Sequence, residues 1–320
     1  MILITGGLGF IGSHTARALL DLGEGCVLTR RQTTRVPSFL SDETGERIRI
    51  EALDVSDRQA VLDLGRRHTI TGIVHLAAAP LDGSPIIGRL RADLGALLNV
   101  LEAAREWGVA RVSVASTIGV YGGVPIDGPL REDVPLPMDG SSHHIPVIKK
   151  SAELIGALAS GQEGFDVVAL RISATWGPLG RPRSSFFVLP QLVHAAVRGQ
   201  APDLTPPSPR GYAEDGADLC YVKDVARAIA LLQTAKCPGG GTYNVGAGHA
   251  TKNREVAAAV KAVVPDAVID LPAGRDPDGP GDDVVLDITR LRRDTGYEPA
   301  YDLERAVTDY VDWLRAGNDR

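Results

Sequence analysis

The sequence predicts an α/β protein in which a doubly wound parallel sheet is followed by a smaller α/β C-terminal lobe. Three observations lead to this fold class. Short apolar strands alternate with amphipathic helical segments over the first half of the chain. The first strand enters a glycine-rich turn that leads directly into a helix. After about residue 175 the alternation gives way to longer stretches rich in proline and glycine, which indicates a second lobe.

The chain begins with a strand, a glycine turn and a helix. An apolar strand at Met1–Ile4 leads into the turn Thr5–Gly12, and an amphipathic helix is predicted over Ser13–Leu22. Glycines let the backbone turn tightly and approach a phosphate, while the free N–H groups of a helix N-terminus face the anion. This arrangement predicts the pyrophosphate site of a Rossmann domain. We expect the cofactor to contact Gly6, Gly9, Phe10, Ile11 and Gly12.

The segment TGGLGFIGSH at 5–14 resembles the glycine motif of the extended short-chain dehydrogenase/reductases. This group includes sugar-nucleotide epimerases, dehydratases and many ketoreductases. The resemblance covers about residues 1–315 and implies a nicotinamide dinucleotide cofactor. It also implies a cofactor domain at 1–175, to which the chain returns at about 218–248, and a mainly substrate-binding lobe at 176–320.

The second predicted strand, Gly25–Thr29, is followed by Arg30 and Arg31, with Arg35 nearby. In NAD-binding relatives an acidic residue at this strand end accepts hydrogen bonds from the adenosine ribose. Guanidinium groups cannot accept those hydrogen bonds, but they suit the 2′-phosphate of NADP. A solvated basic loop is the alternative interpretation. We therefore predict NADP(H) as the cofactor, bound through Arg30 and Arg31.

The third predicted strand, Ile48–Leu53, leads to Asp54 and Val55. The resemblance places this strand end at the adenine, so these two residues are candidate cofactor contacts. Acidic and hydroxyl side chains here could instead cap the following helix. We assign that capping role to Ser56 or Asp57.

The fourth predicted strand, Gly72–Ala79, is a nearly continuous apolar run, as expected of a buried parallel strand. Its small side chains leave room for a cofactor to lie on the backbone, so Leu76, Ala77 and Ala78 are candidate contacts. We interpret His75 as a packing residue rather than a catalyst.

Two hydroxyl residues follow the next predicted strand, Arg111–Ala115. The segment STIGVYG at 116–122 resembles the family pattern in which a hydroxyl residue four before the tyrosine hydrogen-bonds the reacting oxygen. That residue is Thr117. A strand-end Ser-Thr pair could merely cap a turn, but the carboxyl edge of a parallel sheet favours ligand contact.

The family's helical motif YxxxK is incomplete in this sequence, which retains the lysine and lacks the tyrosine. Lys149 and Glu153 are in register with a helix predicted over Ser151–Ser160, which puts Ile145 in the tyrosine position. In the family the ammonium lowers the phenol pKa, so that the phenol transfers a proton near neutral pH. Isoleucine cannot do this. The resemblance still implies that Lys149 is catalytic with Thr117 and contacts the nicotinamide ribose.

Three explanations of the missing phenol remain open. The protein could be an inactive relative that binds only the nucleotide. A nearby group could replace the phenol: His143 and His144 lie just upstream, and histidine titrates near neutral pH, while Tyr121 and Tyr212 are more distant. Finally, the substrate could handle its own proton, since a quinone or phenol can delocalise the charge that hydride addition creates.

Beyond the predicted strand Val167–Ile172, the segment SATWGP resembles the family loop that closes over the nicotinamide. The residues expected to contact the carboxamide are Ser173, Ala174 and Thr175. Two stretches rich in proline and glycine follow at about 200–217 and 272–283. We expect both to act as lids over the substrate. A later segment, Asp218–Ala226, resembles the family's strand and helix start returning to the core, and Asp224 is predicted to be the N-cap of that helix.

Composition excludes several classes of protein. Charged residues are dispersed and the net charge is −6, so no nucleic-acid site is expected. No apolar run approaches the ~20 residues of a membrane span, and a strand at the very start leaves no room for a signal peptide. The cysteines at 26, 220 and 237 lack metal-ligand spacing. We expect a cytoplasmic protein without a metal, from a GC-rich, actinomycete-like bacterial genome because arginine outnumbers lysine.

Arginines for NADP combined with a missing tyrosine resemble the polyketide-tailoring ketoreductases of angucyclinone antibiotic biosynthesis. That resemblance implies NADPH-dependent reduction of a ketone on a polycyclic aromatic polyketide, with the substrate assisting proton transfer. One alternative is an NAD(P)-dependent nucleotide-sugar epimerase or dehydratase, in which Arg181, Arg183 and Arg210 could bind the diphosphate. Another is a catalytically silent NADP-binding sensor. The oligomeric state, monomer or homodimer, stays open.

Overall fold

The computed structural model describes residues 1–79, 85–138, 143–236, 240–279 and 281–318, so Cys237 lies outside the described residues. The strands are β1 (Ile2–Thr5), β2 (Cys26–Arg30), β3 (Ile48–Ala52), β4 (Gly72–His75), β5 (Arg111–Thr117), β6 (Asp166–Ile172), β7 (Ala174–Trp176), β8 (Gly216–Ala217), β9 (Leu219–Tyr221), β10 (Gly241–Val245) and β11 (Thr251–Lys252). The helices are α1 (Phe10–Asp21), α2 (Ser38–Ser41), α3 (Arg58–Arg67), α4 (Ile86–Trp107), α5 (His144–Gln162), α6 (Leu189–Val197), α7 (Val222–Thr234), α8 (Asn253–Val263), α9 (Thr289–Thr295) and α10 (Leu303–Arg315).

Seven parallel strands form the main sheet, in the order β10-β6-β5-β4-β1-β2-β3. The chain moves outward from β1 to β3, crosses back to β4 and then continues to β10. The strand order therefore reverses between β1 and β4. In open α/β sheets, ligands bind outside the carboxyl ends of the strands at such a point. The predicted doubly wound α/β fold is confirmed.

Apolar side chains form a core on each face of this sheet and a third core beyond it. Helices α1 and α7 cover one face, while α3, α4 and α5 cover the other. The third core joins α6, α8 and α10 with the short strands β7 and β9. Within the described parts of the chain, no helix is long and apolar enough to cross a membrane.

Several helices begin earlier than the sequence predicts. Helix α1 begins inside the glycine turn at Phe10, helix α4 at Ile86 instead of Leu94, and helix α5 at His144 instead of Ser151. The early turns of α4 and α5 were missed because the predicted helices followed the later, more regular apolar pattern. The earlier start of α5 places residues 144–150 on a helix rather than in a loop.

Strand β4 is shorter than predicted, since it ends at His75 rather than at Ala79. The reason is a side chain on the neighbouring strand. The hydroxyl oxygen of Thr5 accepts the backbone N–H groups of Leu76 and Ala77, each at 3.2 Å. These hydrogen bonds turn the chain away from the sheet at the point where β1 also ends.

Asp224 does not cap α7 as predicted, because Tyr221 occupies the N-cap position. Asp224 lies in the first turn, where its carboxylate accepts the backbone N–H groups of Ala300 and Tyr301 at 2.8 and 3.1 Å. The carboxylate therefore ties α7 to the segment that leads into α10.

A buried ion pair fixes α5 against the sheet. The guanidinium of Arg171 lies 2.7 Å from the Glu153 carboxylate, and these side chains are only 6% and 10% exposed. The Ser116 hydroxyl donates to the same carboxylate, and Arg171 also donates to the hydroxyl of Tyr121 at 2.8 Å. Because every charged group is paired, burial of the network is tolerated.

Removing the Glu153 carboxylate should leave the Arg171 charge buried and unpaired. We expect Glu153→Ala to lower the free energy of unfolding by about 3–5 kcal/mol. The matched control is Glu163→Ala at the end of the same helix, where the carboxylate lies 3.8 Å from exposed Arg105. That change should cost less than about 1 kcal/mol. Urea denaturation followed by circular dichroism measures both, and equal losses would contradict the assigned role of the buried pair.

Candidate active site

A cleft of about 980 Å³ opens at the carboxyl edge of the sheet. One wall is the start of α1, including Gly9 and Phe10. The opposite wall is the start of α5 with Ile145, and the segment 179–187 forms the outer side. The cleft therefore connects the predicted pyrophosphate turn to Ile145, the predicted tyrosine position, in one continuous volume.

The glycine turn is built for close approach of the backbone. A Cβ at Gly12 would overlap the carbonyl oxygen of Gly6 and lie 2.9 Å from the Cα of Gly7. The turn is anchored to β2, since Gly6 and Gly7 donate their N–H groups to the hydroxyl and carbonyl oxygens of Thr29 at 3.1 and 3.0 Å. Thr29 was not predicted as a site residue, because its only signal in the sequence is its position at the strand end.

The first turn of α1 has no side-chain cap. Gly9 is the N-cap residue and cannot supply one, so the leading N–H groups, which include those of Phe10 and Ile11, have no capping acceptor. Uncapped N–H groups and the positive end of the helix dipole suit a phosphate. The residues present at this turn therefore fit the pyrophosphate of a dinucleotide.

The edge of β4 meets this turn. Burial lowers the pKa of His75 to about 3, so the ring is neutral, and its Nδ1 lies 2.8 Å from the Thr5 hydroxyl. These contacts agree with the packing role expected of His75. Ala77 packs directly against Gly6, since a Cβ on the glycine would lie 3.2 Å from the Ala77 nitrogen. Leu76 and Ala78 are the neighbours of Ala77 in the chain. The predicted contact of these residues with the cofactor stays a prediction.

The predicted adenosine contacts lie together at the ends of β2 and β3. Arg30 pairs with Ala52 across the two strands, and Arg31 is exposed beyond it. The Asp54 carboxylate accepts the N–H and hydroxyl groups of Ser56 at 2.9 and 2.7 Å, and these hydrogen bonds lower its pKa, to which nearby Arg31 also contributes.

The neighbouring helices hold this edge. The Val55 carbonyl accepts a hydrogen bond from Asn99 of α4 at 3.0 Å. Asp57 caps α3 by accepting the N–H of Ala60, which confirms one of the two capping candidates. The structure thus brings the two arginines and Asp54 to one edge.

Neither Thr117 nor Lys149 is among the described residues that line the cleft. The Thr117 hydroxyl accepts the N–H of Gly119 at 3.2 Å, so the turn-capping alternative is realised, while contact with a substrate stays a prediction. Burial lowers the pKa of Lys149, and the Asp93 carboxylate partly offsets this effect. The charge of Lys149 also contributes to the low pKa of His75, the last residue of β4.

The tyrosine position holds Ile145, which lines the cleft together with His143. The Nδ1 atom of His143 accepts the N–H of Ile145 at 3.3 Å and thereby caps α5. The rings of His143 and His144 stack at 4.6 Å, and Arg89 donates to Nε2 of His144 at 3.1 Å. Only the first of the two histidines therefore reaches the cleft.

Neither of the more distant tyrosines replaces the phenol in this cleft. The Tyr121 hydroxyl is buried and bonded to Asn244 at 2.8 Å, and burial raises its pKa. Tyr212 is not part of the cleft wall.

The loop after β6 is held by backbone contacts. Ser173 donates its N–H to Val245 at 2.9 Å, Ala174 donates to the Asp218 carbonyl at 3.1 Å, and Thr175 lines the cleft. The Asp218 carboxylate, fully buried, accepts N–H groups from residues 247, 248 and 286. Asp218 was not predicted as a site residue, because its hydrogen-bonding partners are distant in sequence.

Of the three arginines proposed for a diphosphate, one remains available. Arg183 pairs with Asp203 at 3.0 Å, and Arg210 pairs with Asp276 and Asp278. Arg181 lines the cleft and has no hydrogen-bond or ion-pair partner among the described residues.

The segment 179–187 was not predicted as a cleft wall. Leu179 has φ +69°, which is rare for a residue with a side chain. Pro178 is held to α1 by His14, whose Nε2 lies 3.0 Å from the proline carbonyl. The sequence Gly-Pro-Leu-Gly at 177–180 is the signal that could have indicated a tight turn here.

The two predicted lids pair with each other instead of lining this cleft. Ala213 and Glu214 donate their N–H groups to the carbonyls of Pro272 and Gly274 at 2.8 and 2.9 Å. No described residue of 200–217 or 272–283 contributes to the cleft wall. Their function as lids stays a prediction. The described residues also contain no cluster of three or more His, Cys, Asp or Glu side chains suited to a metal ion.

Comparison with known proteins identifies similar chains along the whole length. The profile of the NAD dependent epimerase/dehydratase family matches residues 2–246. A dTDP-glucose 4,6-dehydratase of Escherichia coli is 26% identical over 98% of this chain and 92% of its own. A UDP-glucose 4-epimerase of Azospirillum brasilense is 28% identical with the same coverage. The UDP-glucose 4-epimerase of Thermus thermophilus, solved with NAD, has a TM-score of 0.80, 27% identity and 99% coverage of both chains.

The prediction of a polyketide ketoreductase is wrong. The similar proteins are nucleotide-sugar epimerases and dehydratases, which agree with the alternative considered from the sequence. The error arose because the substrate class was inferred partly from the missing tyrosine, and an absent residue does not specify a substrate. The solved relative named above binds NAD, so the choice of NADP stays a prediction.

Gly12→Ala tests the phosphate turn, because the added methyl would overlap the Gly6 carbonyl. A strained turn costs about 1–3 kcal/mol, so we expect the Kd for the reduced dinucleotide to rise about tenfold or more. The matched control is Gly95→Ala on α4, where nothing lies within 4 Å of the added Cβ. That variant should keep its affinity and gain about 0.5–1 kcal/mol of stability. Fluorescence titration measures both, and unchanged binding by Gly12→Ala would refute the turn's role.

Proposed function

Because this chain belongs to the NAD dependent epimerase/dehydratase family, we propose that it oxidises and reduces a carbon of a nucleotide-linked sugar, as an epimerase or a dehydratase. The observation that carries the proposal is the alignment of such enzymes with 98% of the chain. In such a reaction the dinucleotide supplies a hydride acceptor and donor. The residues of this chain bind the sugar nucleotide, exclude water and move the proton.

The cleft supports this proposal through its size and charge. A volume of about 980 Å³ lies at the upper end of the usual range for small-molecule sites. It extends from the α1 N-terminus, where the dinucleotide would lie, to Arg181 on the outer wall. A guanidinium that has no partner among the described residues suits a diphosphate, which it can contact through two parallel hydrogen bonds.

We propose NADP(H) as the cofactor. Arg30 and Arg31 stand where an acidic residue would select the free ribose of NAD, and Arg35 lines the cleft near α1. The family description names NAD, so the preference would be a property of this chain. It would arise from charge at one strand end and leave the pyrophosphate turn unchanged.

Replacing both arginines tests the cofactor preference. In the double variant Arg30→Ala/Arg31→Ala, the lost charge-assisted hydrogen bonds are worth about 1.5–3 kcal/mol each, so the Kd for NADPH should rise at least about tenfold. The Kd for NADH should change by less than about twofold, since NADH has no 2′-phosphate. The control is Arg49→Ala on β3, whose guanidinium bonds only to the backbone of Glu46 and Ile48. An equal rise in the Kd for NADPH and for NADH would show that the two arginines do not bind the 2′-phosphate.

Turnover tests the activity itself. We expect the wild-type protein with NADP⁺ to convert UDP-glucose or dTDP-glucose to an epimer or a keto sugar, detected by NMR. Arg181→Gln should raise KM about tenfold with little change in kcat, because a uniform binding contact is lost. Arg210→Gln is the control, since that guanidinium is already paired with two carboxylates. If the dinucleotide binds but no sugar nucleotide is converted, the proposed activity is refuted.

A further inference from the structure

Aromatic side chains are rare in this chain but frequent on the cleft wall. Phenylalanine, tyrosine and tryptophan make up 5% of the residues. Three of the five phenylalanines and two of the three tryptophans nevertheless line the cleft, as does Tyr310. Sites for small molecules are lined mainly by apolar and aromatic side chains, with a small number of polar groups that fix the orientation of the ligand. The cleft is therefore suited to a ligand that carries a flat ring as well as charge.

One of these rings has no aromatic neighbour among the described residues. Trp176 is buried and contacts the rings of Tyr221 and Tyr310, with centroids 4.9 and 6.3 Å away. Phe186 lines the same cleft but is 73% exposed, and no ring contact of this side chain occurs within the described parts of the chain. Its faces are therefore accessible to a ligand in the cleft.

The exposed position of Phe186 is fixed by its neighbours in the chain. The hydroxyl of Ser184 accepts the backbone N–H of Phe186 at 3.1 Å and closes a short turn. Gln191 of α6 donates from Nε2 to the carbonyl of Ser184 at 2.9 Å. The next two residues, Phe187 and Val188, pack into the third core. Because the backbone is anchored on both sides, the Phe186 side chain stays on the cleft wall instead of turning into the core.

An arginine without a described partner precedes this ring by five positions. Arg181 lines the same wall and has no hydrogen bond or ion pair among the described residues, whereas Arg183 pairs with Asp203 at 3.0 Å. The outer wall therefore presents an accessible ring and an available guanidinium on one short segment. A nucleoside diphosphate carries the complementary groups, since one ribose joins its flat base to its charged diphosphate. A sugar phosphate without a base would leave the ring of Phe186 without a partner.

We propose that Phe186 binds the base of the substrate nucleotide by stacking, next to Arg181 at the diphosphate. The proposal rests on the function proposed above and names the part of the substrate that the outer wall recognises. Stacking on an aromatic side chain accepts any base, because every base has a π-face. The wall therefore selects nucleotide-linked sugars over free sugars and leaves the choice among bases to other contacts. The dinucleotide would lie at the α1 end, so the two ligands use different walls of the cleft.

Isothermal titration calorimetry with UDP and with pyrophosphate, on protein saturated with NADPH, tests this assignment. Phe186→Ala should raise the Kd for UDP about five- to a hundredfold, which is the loss typical of one stacked base. The Kd for pyrophosphate should not change, because pyrophosphate has no base. The Kd for dTDP should rise as much as that for UDP. Phe186→Tyr keeps the ring and should stay within about threefold of wild type. Arg181→Gln should instead raise the Kd for both UDP and pyrophosphate.

The matched control is Leu158→Ala on α5, where an apolar side chain is 68% exposed and is not part of the cleft wall. This variant should bind UDP as the wild type does. An unchanged Kd for UDP in Phe186→Ala would overturn the assignment. If that variant instead shows a higher Kd for NADPH, the ring serves the dinucleotide. If it changes from dimer to monomer in analytical ultracentrifugation, the ring serves a contact between chains. Either result, with UDP affinity retained, overturns the proposal.

Turnover of UDP-glucose separates this proposal from the proposed function. Turnover with a KM that does not depend on Phe186 would overturn the stacking role and leave the function intact. Binding of UDP that depends on Phe186, without turnover of any sugar nucleotide, would support the nucleotide site and refute the proposed activity. If the wild-type protein binds no UDP, the proposal is overturned whatever the turnover assay shows.

Discussion

The close approach of α1 to the end of β1 is the constraint on which the site depends. Gly12 has no side chain, so the helix begins against the Gly6 carbonyl, inside the turn rather than after it. This early start points the uncapped N–H groups into the cleft. The threonines at the ends of β1 and β2 then hold the surrounding backbone, since Thr5 fixes the chain leaving β4 and Thr29 fixes the turn itself. The anion site is thus produced by backbone geometry rather than by a charged side chain.

The reacting end of the cleft depends on a different interaction. The buried pair of Arg171 and Glu153 holds α5 to the sheet, and Ser116 joins the same carboxylate from β5. Strands β5 and β6 and helix α5 are therefore connected near the carboxyl edge of the sheet. Removing one charge would leave the other unpaired in a poorly solvated place, so the arrangement has little freedom to slide. The start of α5 is positioned by this network, and with it His143 and Ile145.

The sequence was sufficient for the sheet and the glycine turn, because apolar runs and a glycine pattern are local signals. The sequence was insufficient where the hydrogen-bonding partner of a side chain is distant along the chain. Asp224 has the residue type of an N-cap, but its carboxylate bonds to residues 76 and 77 positions away. The same holds for Asp218 and for the cleft wall at 179–187, whose placement depends on a contact from His14. Early helix starts were missed because the first turns of α4 and α5 lack a regular apolar stripe. The prediction of the substrate class was wrong for another reason, since it was inferred from the absence of a tyrosine at position 145.

Isoleucine at that position does not by itself exclude nucleotide-sugar chemistry. Hydride transfer to or from a carbinol needs a proton acceptor within reach of the oxygen, and it sets no requirement that the acceptor be a phenol. A phenol needs a nearby cation to work at neutral pH, because its ordinary pKa is about 10. An imidazole needs no such help. Burial lowers the pKa of Lys149, the Asp93 carboxylate opposes that shift, and the ammonium of Lys149 in turn contributes to the low pKa of His75. The missing tyrosine therefore limits which groups could carry the proton and does not by itself indicate that the reaction is lost.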